Sequence, residues 1–318
     1  MIALSDVRDA AARIEGRVRR TPVMEADPSA FVPEGAPAPA KLWLKLELTQ
    51  HTGSFKARGA FNRILRAAEE GLLGEAGVIA ASGGNAGLAV AYAASQVGAK
   101  AEVYVPETAP PVKVARLRAL GATVVQVGVK YNDAYEGAIK RAKDTGALFC
   151  HPYDQREMCA GQGVIGLELF EQTGGEVDTV LLAVGGGGLM AGVAAALEGQ
   201  ATVVGVEPST APTLNAALRA GRPVDVEVSG VAADSLGATR AGEIAHAVAV
   251  RTGVRSVLVS DEAISAARRR LWDEYRLVVE HGTAAAAAAL RAGAYRPAPG
   301  ERVAVLLCGA NTGLSDLA

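Results

Sequence analysis

Short apolar runs alternate with helix-like segments along most of this 318-residue chain, and Pro106 ends one of the runs. Strands that alternate with helices are typical of parallel sheets with helices on both faces. The sequence therefore predicts an α/β protein. The clearest predicted strands are KLWLKLEL (41–48), GVIAAS (77–82), KAEVYVP (100–106), ATVVQVG (122–128), DTVLLAVG (178–185), TVVGVEP (202–208) and RVAVLLCG (302–309).

Length and charge exclude several classes of protein. A chain of 318 residues suits about two domains. The net charge of −2 gives no basic surface, so we expect no nucleic-acid partner. No apolar run approaches the roughly 18 residues that a membrane span needs. The expected partner is therefore a small molecule.

The N-terminus and the cysteines predict a cytoplasmic protein. The first twenty residues mix acidic and basic side chains, which is typical of an amphipathic helix, with Ser5 as its expected N-cap, and not of a signal peptide. Cys150, Cys159 and Cys308 are odd in number and lack metal-ligand spacing. We interpret them as reduced thiols in a reducing compartment.

Lys56 stands in mostly apolar surroundings, in the segment HTGSFKARGA (51–60), where a helix is expected to begin. A buried lysine is costly unless it is paired or has a chemical role. Either its amine reaches water or it is held inside to do chemistry.

Two glycine-rich loops each lie between a predicted strand and a predicted helix. They are ASGGNAG (81–87) and VGGGGLMAG (184–192). A helix N-terminus offers unpaired N–H groups and the positive end of the helix dipole, and glycines let an anion come close. Each loop is a candidate anion site, and the alternative for each is a tight turn without a ligand.

The second loop also matches a dinucleotide-binding pattern. Gly186, Gly188 and Ala191 fit G-x-G-x-x-A, and Glu207 ends the next predicted strand about 20 residues on. Alone, this pattern would predict an NAD-dependent oxidoreductase. It leaves the first loop and Lys56 unexplained.

One ligand accounts for all three features. Pyridoxal phosphate needs a lysine for a Schiff base and an anion site for its phosphate, and an amino-acid substrate needs a second anion site for its carboxylate. The chain resembles the serine/threonine dehydratases, which are fold type II pyridoxal-phosphate enzymes related to the tryptophan synthase β subunit. The segments that carry the resemblance are ELTQHTGSFKARGA (47–60), SGGNAG (82–87), HPYDQREMCAGQGVIGLE (151–168), VGGGGLMAG (184–192) and CGAN (308–311).

The resemblance implies two open, twisted, mostly parallel sheets flanked by helices, with the cofactor in the cleft between two domains. A large domain would combine residues 1–50 and 151–318, and a small domain would comprise residues 51–150. The resemblance also leads us to expect a homodimer.

The same resemblance implies the site residues. Lys56 would hold the cofactor and act as the base at the substrate Cα, and Phe55 would lie beside the cofactor ring. Cys308 would face the pyridine nitrogen, and Asn85 would contact the 3-hydroxyl of the ring. The phosphate would be bound by Gly185, Gly186, Gly187, Gly188 and Leu189, and the substrate carboxylate by Ser82, Gly83, Asn85 and Ala86.

The chain departs from its relatives at a cation site and at a helix start. Relatives with a divalent metal supply a Glu, a backbone carbonyl and an Asp. Glu207 and the Ala211 carbonyl are present here, but Thr213 stands where the Asp is expected. We therefore expect a monovalent cation or none. His281 replaces a usual proline, and we interpret it as a helix-start residue.

The implied activity is β-elimination, in which L-threonine gives 2-oxobutanoate and L-serine gives pyruvate, each with ammonia. Three alternatives remain: another β-hydroxy amino acid such as 3-hydroxyaspartate or phenylserine, an amino-acid racemase, and a non-catalytic binding protein. The chain ends soon after Asn311, so we expect no regulatory domain and no feedback control by isoleucine.

Overall fold

Two sheets form the framework of the computed structural model, which describes residues 1–315 and 317. Within these residues one sheet has six strands in the order β1-β2-β10-β7-β8-β9, and the other has four in the order β5-β4-β3-β6. Of the strand pairs in these two sheets, β1–β2 is antiparallel and the others are parallel. The strands are β1 Val23–Ala26, β2 Lys41–Lys45, β3 Val78–Ala81, β4 Ala101–Val105, β5 Thr123–Gln126, β6 Leu148–Phe149, β7 Thr179–Ala183, β8 Thr202–Pro208, β9 Arg255–Val259 and β10 Arg302–Leu306.

Helices flank both sheets, so the predicted fold class is confirmed. All five residues of β7 are buried, as expected for a parallel strand covered on both faces. The small sheet lies within residues 51–150, and on that basis we propose this segment as the small domain. The helices are α1 Leu4–Ile14, α2 Lys56–Glu69, α3 Asn85–Gln96, α4 Pro111–Ala119, α5 Tyr131–Thr145, α6 Arg156–Gln172, α7 Gly188–Ala196, α8 Thr213–Ala220, α9 Glu243–Thr252, α10 Asp261–Tyr275 and α11 His281–Arg291.

Two local predictions need correction. The helix α1 begins at Leu4, so Ser5 lies inside its first turn and is not the N-cap. The Asp6 carboxylate accepts a hydrogen bond from the Ala3 N–H, 2.8 Å away, and stabilises the helix start instead. The strand β2 ends at Lys45, because the backbone of Leu46 turns into a short 3-10 helix.

A buried ion network lies between β2 and the helices α2 and α6. The Arg58 guanidinium donates to Glu47 at 2.8 and 2.9 Å and to Glu168 at 2.7 and 2.8 Å. Lys45, also fully buried, donates to Glu168 at 2.9 Å. Because each of these charged groups has a partner, the network fixes α2 relative to α6 without leaving an isolated buried charge.

Glycines let α6 approach both α2 and α7 very closely. A β-carbon at Gly161 would lie 2.6 Å from the Arg58 carbonyl oxygen of α2. A β-carbon at Gly163 would lie 2.6 Å from the Gly192 carbonyl oxygen of α7. Both distances are shorter than van der Waals contact, so the AGQG segment (160–163) is needed for backbone-to-backbone packing. It brings the start of α2 beside the start of α7.

We predict that Gly163→Ala lowers the free energy of unfolding by about 2 kcal/mol, because the added methyl must separate α6 from α7. The control is Gly74→Ala, since no heavy atom of the described residues lies within 4 Å of a β-carbon at Gly74. That variant should change stability by less than about 0.5 kcal/mol. Denaturant unfolding of both variants measures the difference, and equal stabilities would contradict the packing argument.

Candidate active site

Lys56 is the first residue of α2 and is partly buried. Its Nζ donates to the Pro152 carbonyl oxygen at 2.6 Å and lies 4.9 Å from the centre of the Phe55 ring. Burial lowers the pKa of Lys56 to about 8, an effect that the nearby Cys159, Cys308 and Glu280 only partly oppose. A substantial fraction of this amine is therefore neutral near physiological pH.

The second glycine-rich loop connects β7 to α7, as the sequence predicted. Gly187 has a φ of +87°, and a β-carbon there would lie 2.5 Å from the Ala245 β-carbon. At Gly186 a β-carbon would lie 2.2 Å from the Tyr153 ring. Leu189 follows, buried, inside α7. The N–H groups of this first helical turn have no partner inside the helix, so the loop offers an anion site.

A buried polar group beside this loop lacks a protein partner. Gln162 is fully buried, and neither its amide nitrogen nor its amide oxygen has a hydrogen-bond partner among the described residues. Its oxygen lies 3.1 Å from the place of a β-carbon at Gly188. An unpaired buried amide is costly, so the residues present fit a polar group bound at the start of α7.

The first glycine-rich loop connects β3 to α3 and faces the cleft. Ser82 accepts a hydrogen bond from the Gly84 N–H at 3.2 Å, and Asn85 and the buried Ala86 open α3. A side chain at Gly83 would meet Val105, at 3.5 Å. This loop is therefore a second helix N-terminus that can accept an anion.

Two residues to which the sequence assigned no role, Glu280 and Asn311, fix the side chain of Asn85. The Asn85 amide nitrogen donates to both Glu280 oxygens, at 2.8 and 3.0 Å. Its amide oxygen accepts from the Asn311 amide at 2.6 Å. Glu280 is only 6% exposed, and burial raises its pKa. Asn311 closes the predicted CGAN segment, but nothing in the sequence indicated its partner.

The segment after β10 joins these groups to Lys56. The Phe55 N–H donates to the Cys308 carbonyl oxygen at 3.0 Å, and the Glu280 carboxyl lies over Gly309. Burial raises the pKa of the Cys308 thiol to about 12, and its Sγ lies 3.2 Å from the Thr283 hydroxyl. This group is therefore a neutral thiol at physiological pH.

Polar and charged side chains line the pocket beside the first glycine-rich loop. They are Lys113 and Arg116 from α4 and Asp234 and Ser235 from the loop before α9. Lys113 forms an ion pair with Asp234, and Arg116 donates to Asn311. These contacts connect α4, beside the small sheet, to segments beside the large sheet.

The residues predicted for a cation are occupied by other contacts. Glu207 is fully buried and accepts hydrogen bonds from Leu214 N–H at 2.6 Å, Asn215 N–H at 2.9 Å and Ser256 hydroxyl at 2.7 Å. The Ala211 carbonyl accepts from the Thr213 N–H at 3.1 Å. Residues 1–315 and 317 contain no group of three or more His, Cys, Asp and Glu side chains arranged to hold a metal.

The same contacts argue against the dinucleotide pattern. In that pattern an acidic residue after the second strand accepts hydrogen bonds from a ribose. Glu207 cannot do so here, because its carboxylate is buried and already bound by protein donors.

The other predicted residues lie together. Lys56 binds the carbonyl of Pro152, the neighbouring Tyr153 ring lies over Gly186, and Gly309 contacts the Glu280 that holds Asn85. The lysine and both anion sites therefore belong to one cleft. Its position beyond the carboxyl ends of the strands is where open α/β sheets bind ligands.

A lysine with a lowered pKa beside a glycine-rich helix start is what the aldehyde and the phosphate of pyridoxal phosphate require. Enzymes that hold this cofactor between two such sheets form fold type II. The sequence agrees with this class, since the family model described as "Pyridoxal-phosphate dependent enzyme" matches residues 14–309. The chain belongs to this family, and the predicted family relationship is confirmed.

Three similar proteins illustrate the relationship. The L-threonine ammonia-lyase of Thermotoga maritima is 35% identical over 98% of this chain and 76% of its own length. The phenylserine dehydratase of Ralstonia pickettii is 38% identical over 99% of this chain and 95% of its own length. Among solved structures, a threonine deaminase from the organism abbreviated T.th. has a TM-score of 0.86 at 37% identity, covering 99% of this chain and 100% of its own.

We predict that the lowered pKa of Lys56 makes the apoprotein more stable at higher pH. Between pH 8 and 10.5 the native chain holds a neutral amine and the unfolded chain an ammonium, so the unfolded chain binds more protons. The free energy of unfolding should therefore rise by about 3 kcal/mol across this range relative to that of the Lys56→Met apoprotein. Denaturant unfolding at several pH values measures it, and parallel curves for the two proteins would contradict the assignment.

Proposed function

We propose that this protein is a pyridoxal-phosphate-dependent ammonia-lyase that removes water and then ammonia from a β-hydroxy amino acid. L-threonine would give 2-oxobutanoate, and L-serine would give pyruvate. The observation that carries the proposal is the amine of Lys56, with its pKa lowered to about 8, in one cleft with two helix N-termini. The Thermotoga maritima relative, named as an L-threonine ammonia-lyase, supports the choice of reaction.

The loops divide the binding of the two anions between them. Residues 185–189, at the start of α7, would hold the cofactor phosphate, and Ser82, Gly83, Asn85 and Ala86, at the start of α3, would hold the substrate carboxylate. Glu280 and Asn311 bind the Asn85 amide from the other side of the cleft and hold it beside this loop. Phe55 and Cys308 would flank the pyridine ring and its nitrogen.

Lys56 would remove the proton from the substrate Cα. A neutral amine can accept this proton, and the Pro152 carbonyl holds it in place. Bound pyridoxal phosphate supplies an electron sink that stabilises negative charge at Cα. Loss of the β-hydroxyl as water then gives an enamine, which hydrolyses to the 2-oxo acid and ammonia.

Gly83 and Cys308 favour elimination over racemisation. A racemase needs an acid on the face of Cα opposite the lysine, and Gly83 has no side chain that can supply one. The Cys308 thiol is neutral and cannot keep a pyridine nitrogen protonated as a carboxylate would. A carbanion at Cα is then less persistent, so expulsion of the β-hydroxyl competes well.

The test is to incubate the purified yellow holoenzyme with L-threonine and with L-serine and to measure 2-oxo acid, ammonia and D-amino acid. We expect 2-oxobutanoate and pyruvate, with little D-serine, and no product from Lys56→Ala. A major yield of D-serine would identify a racemase. Gly83→Ser fits the space beside Val105 and should raise D-serine formation, whereas the matched Gly83→Ala should not.

We also propose that no divalent cation is needed, because Glu207 and the Ala211 carbonyl already bind protein donors. A monovalent cation such as potassium remains compatible with carbonyl ligands alone. Activity should survive a chelator such as EDTA, measured as 2-oxobutanoate release. Loss of activity on chelation, restored by Mg²⁺, would overturn this proposal.

The substrate range includes a second candidate. The Ralstonia pickettii relative is named as a phenylserine dehydratase, so aryl-substituted β-hydroxy amino acids belong in the substrate screen beside 3-hydroxyaspartate. No helix within residues 1–315 and 317 is long and apolar enough to span a membrane. The cytoplasmic location and the homodimer stay predictions.

A further inference from the structure

Five ring side chains form a cluster, which we call the aromatic wall: Tyr131, Tyr135, Phe149, His151 and Tyr153. The Tyr135 ring lies 6.0 Å from Tyr131, 5.8 Å from Phe149 and 5.9 Å from His151, centre to centre. His151 and Tyr153 are 4.7 Å apart and edge-to-face. Phe, Trp and Tyr make up only 4% of this chain, so such a concentration of rings needs an explanation.

The aromatic wall adjoins the reactive lysine. Pro152, whose carbonyl binds the Lys56 amine at 2.6 Å, lies between His151 and Tyr153 in the chain. The Tyr153 ring covers Gly186 in the proposed phosphate loop. Phe149 ends β6 and Tyr131 begins α5, so the cluster extends from the lysine along the carboxyl edge of the small sheet.

The rings are accessible, and the histidine is neutral. All five side chains are at least partly exposed, and Tyr131 is 51% exposed. The His151 Nδ1 accepts hydrogen bonds from the N–H groups of Tyr153 and Asp154, at 3.2 and 2.9 Å. Burial lowers the pKa of His151 to about 4, so this ring carries no charge at physiological pH. The wall is therefore a largely aromatic surface without ring charge, and it begins beside the reactive lysine.

The pocket beside the first glycine-rich loop has the opposite chemistry. It is lined by the charged or polar Lys113, Arg116, Asp234 and Ser235, and Leu88 supplies the one apolar side chain among the described residues that line it. An apolar group on the substrate would leave charged groups desolvated there. The aromatic wall, in contrast, offers edge-to-face contacts to a flat ring.

We propose that the aromatic wall receives the substituent on the substrate Cβ, and that this protein accepts β-hydroxy amino acids carrying an aryl group there, with 3-phenylserine as the simplest. This inference rests on the proposed function, since it concerns the same site. The Cα–H and Cβ–O bonds break, a C=C bond forms, and the hydroxyl leaves with a proton as water. Hydrolysis of the resulting enamine consumes one water and releases ammonia, which gives phenylpyruvate.

Packing of the small sheet alone would also place some of these rings together, because Tyr135 and Phe149 contact the core around Ile79 and Tyr104. That explanation does not account for the half-exposed Tyr131 or for His151 and Tyr153, which belong to the segment that contacts the lysine. The two explanations differ in one measurable quantity, the ratio of aryl to alkyl substrate turnover in ring variants.

The experiment measures kcat/KM of the holoenzyme for 3-phenylserine, as phenylpyruvate, and for L-threonine, as 2-oxobutanoate. We expect turnover of both substrates. Tyr135→Ala and Tyr131→Leu should each lower the phenylserine-to-threonine ratio, by about tenfold for Tyr135→Ala, whereas Tyr135→Phe should retain it. The matched control is Tyr275→Ala, because Tyr275 packs against Phe31 in another part of the fold and its loss should leave the ratio unchanged.

A second measurement does not depend on turnover. L-phenylalanine and L-alanine have no β-hydroxyl to lose, so each can be measured as a competitive inhibitor of threonine turnover. We expect L-phenylalanine to bind more tightly than L-alanine, and Tyr131→Leu, a change at a half-exposed helix start, to reduce this preference. Threonine turnover without phenylserine turnover, or equal effects of ring variants on both substrates, would overturn the inference. Absence of 2-oxo acid from every substrate would instead refute the proposed function.

Discussion

The close contact of α6 with α2 and α7 is the constraint on which the site depends. Gly161 and Gly163 face different partners, and at each a β-carbon would lie 2.6 Å from a carbonyl oxygen of the neighbouring helix. The first residue of α2 is Lys56, and α7 begins at the glycine-rich loop, so this contact sets the spacing between amine and anion site. The buried network around Arg58 connects α2 to α6 with charge pairs as well. Backbone packing and ion pairing therefore both constrain the spacing between the Lys56 amine and the anion site at the start of α7.

The second anion site, at the start of α3, is held by side-chain contacts that cross the cleft. Asn85 belongs to α3 beside the small sheet, but both ends of its amide bind residues next to the large sheet, Glu280 and Asn311. Lys113 and Arg116 add two further contacts across the same gap. These bonds cross the gap between the two sheets, so the orientation of Asn85 depends on the distance between them.

The sequence predicted the fold class and the central residues because their signals are local. Lys56 and the two glycine-rich loops stand out by residue type and by position between a strand and a helix. Glu280 and Asn311 gave no such signal, since they meet Asn85 across 195 and 226 residues of chain. Lys45 gave none either, because it is Glu168, 123 residues away, that lets this lysine be buried. The aromatic wall likewise combines residues from separate elements, and only the tertiary structure brings them together.

Tyr131 and Tyr135 lie on α5, a helix whose main contacts are with the strands β3, β4 and β6 of the small sheet. Side chains can therefore be exchanged on this helix without disturbing the glycine contacts that position Lys56. The helices around the lysine pack backbone to backbone at Gly161 and Gly163, whereas Tyr131 at the start of α5 is 51% exposed. Under the proposed role of the aromatic wall, substitutions on this one helix would change the substrate range and leave the packing around Lys56 intact.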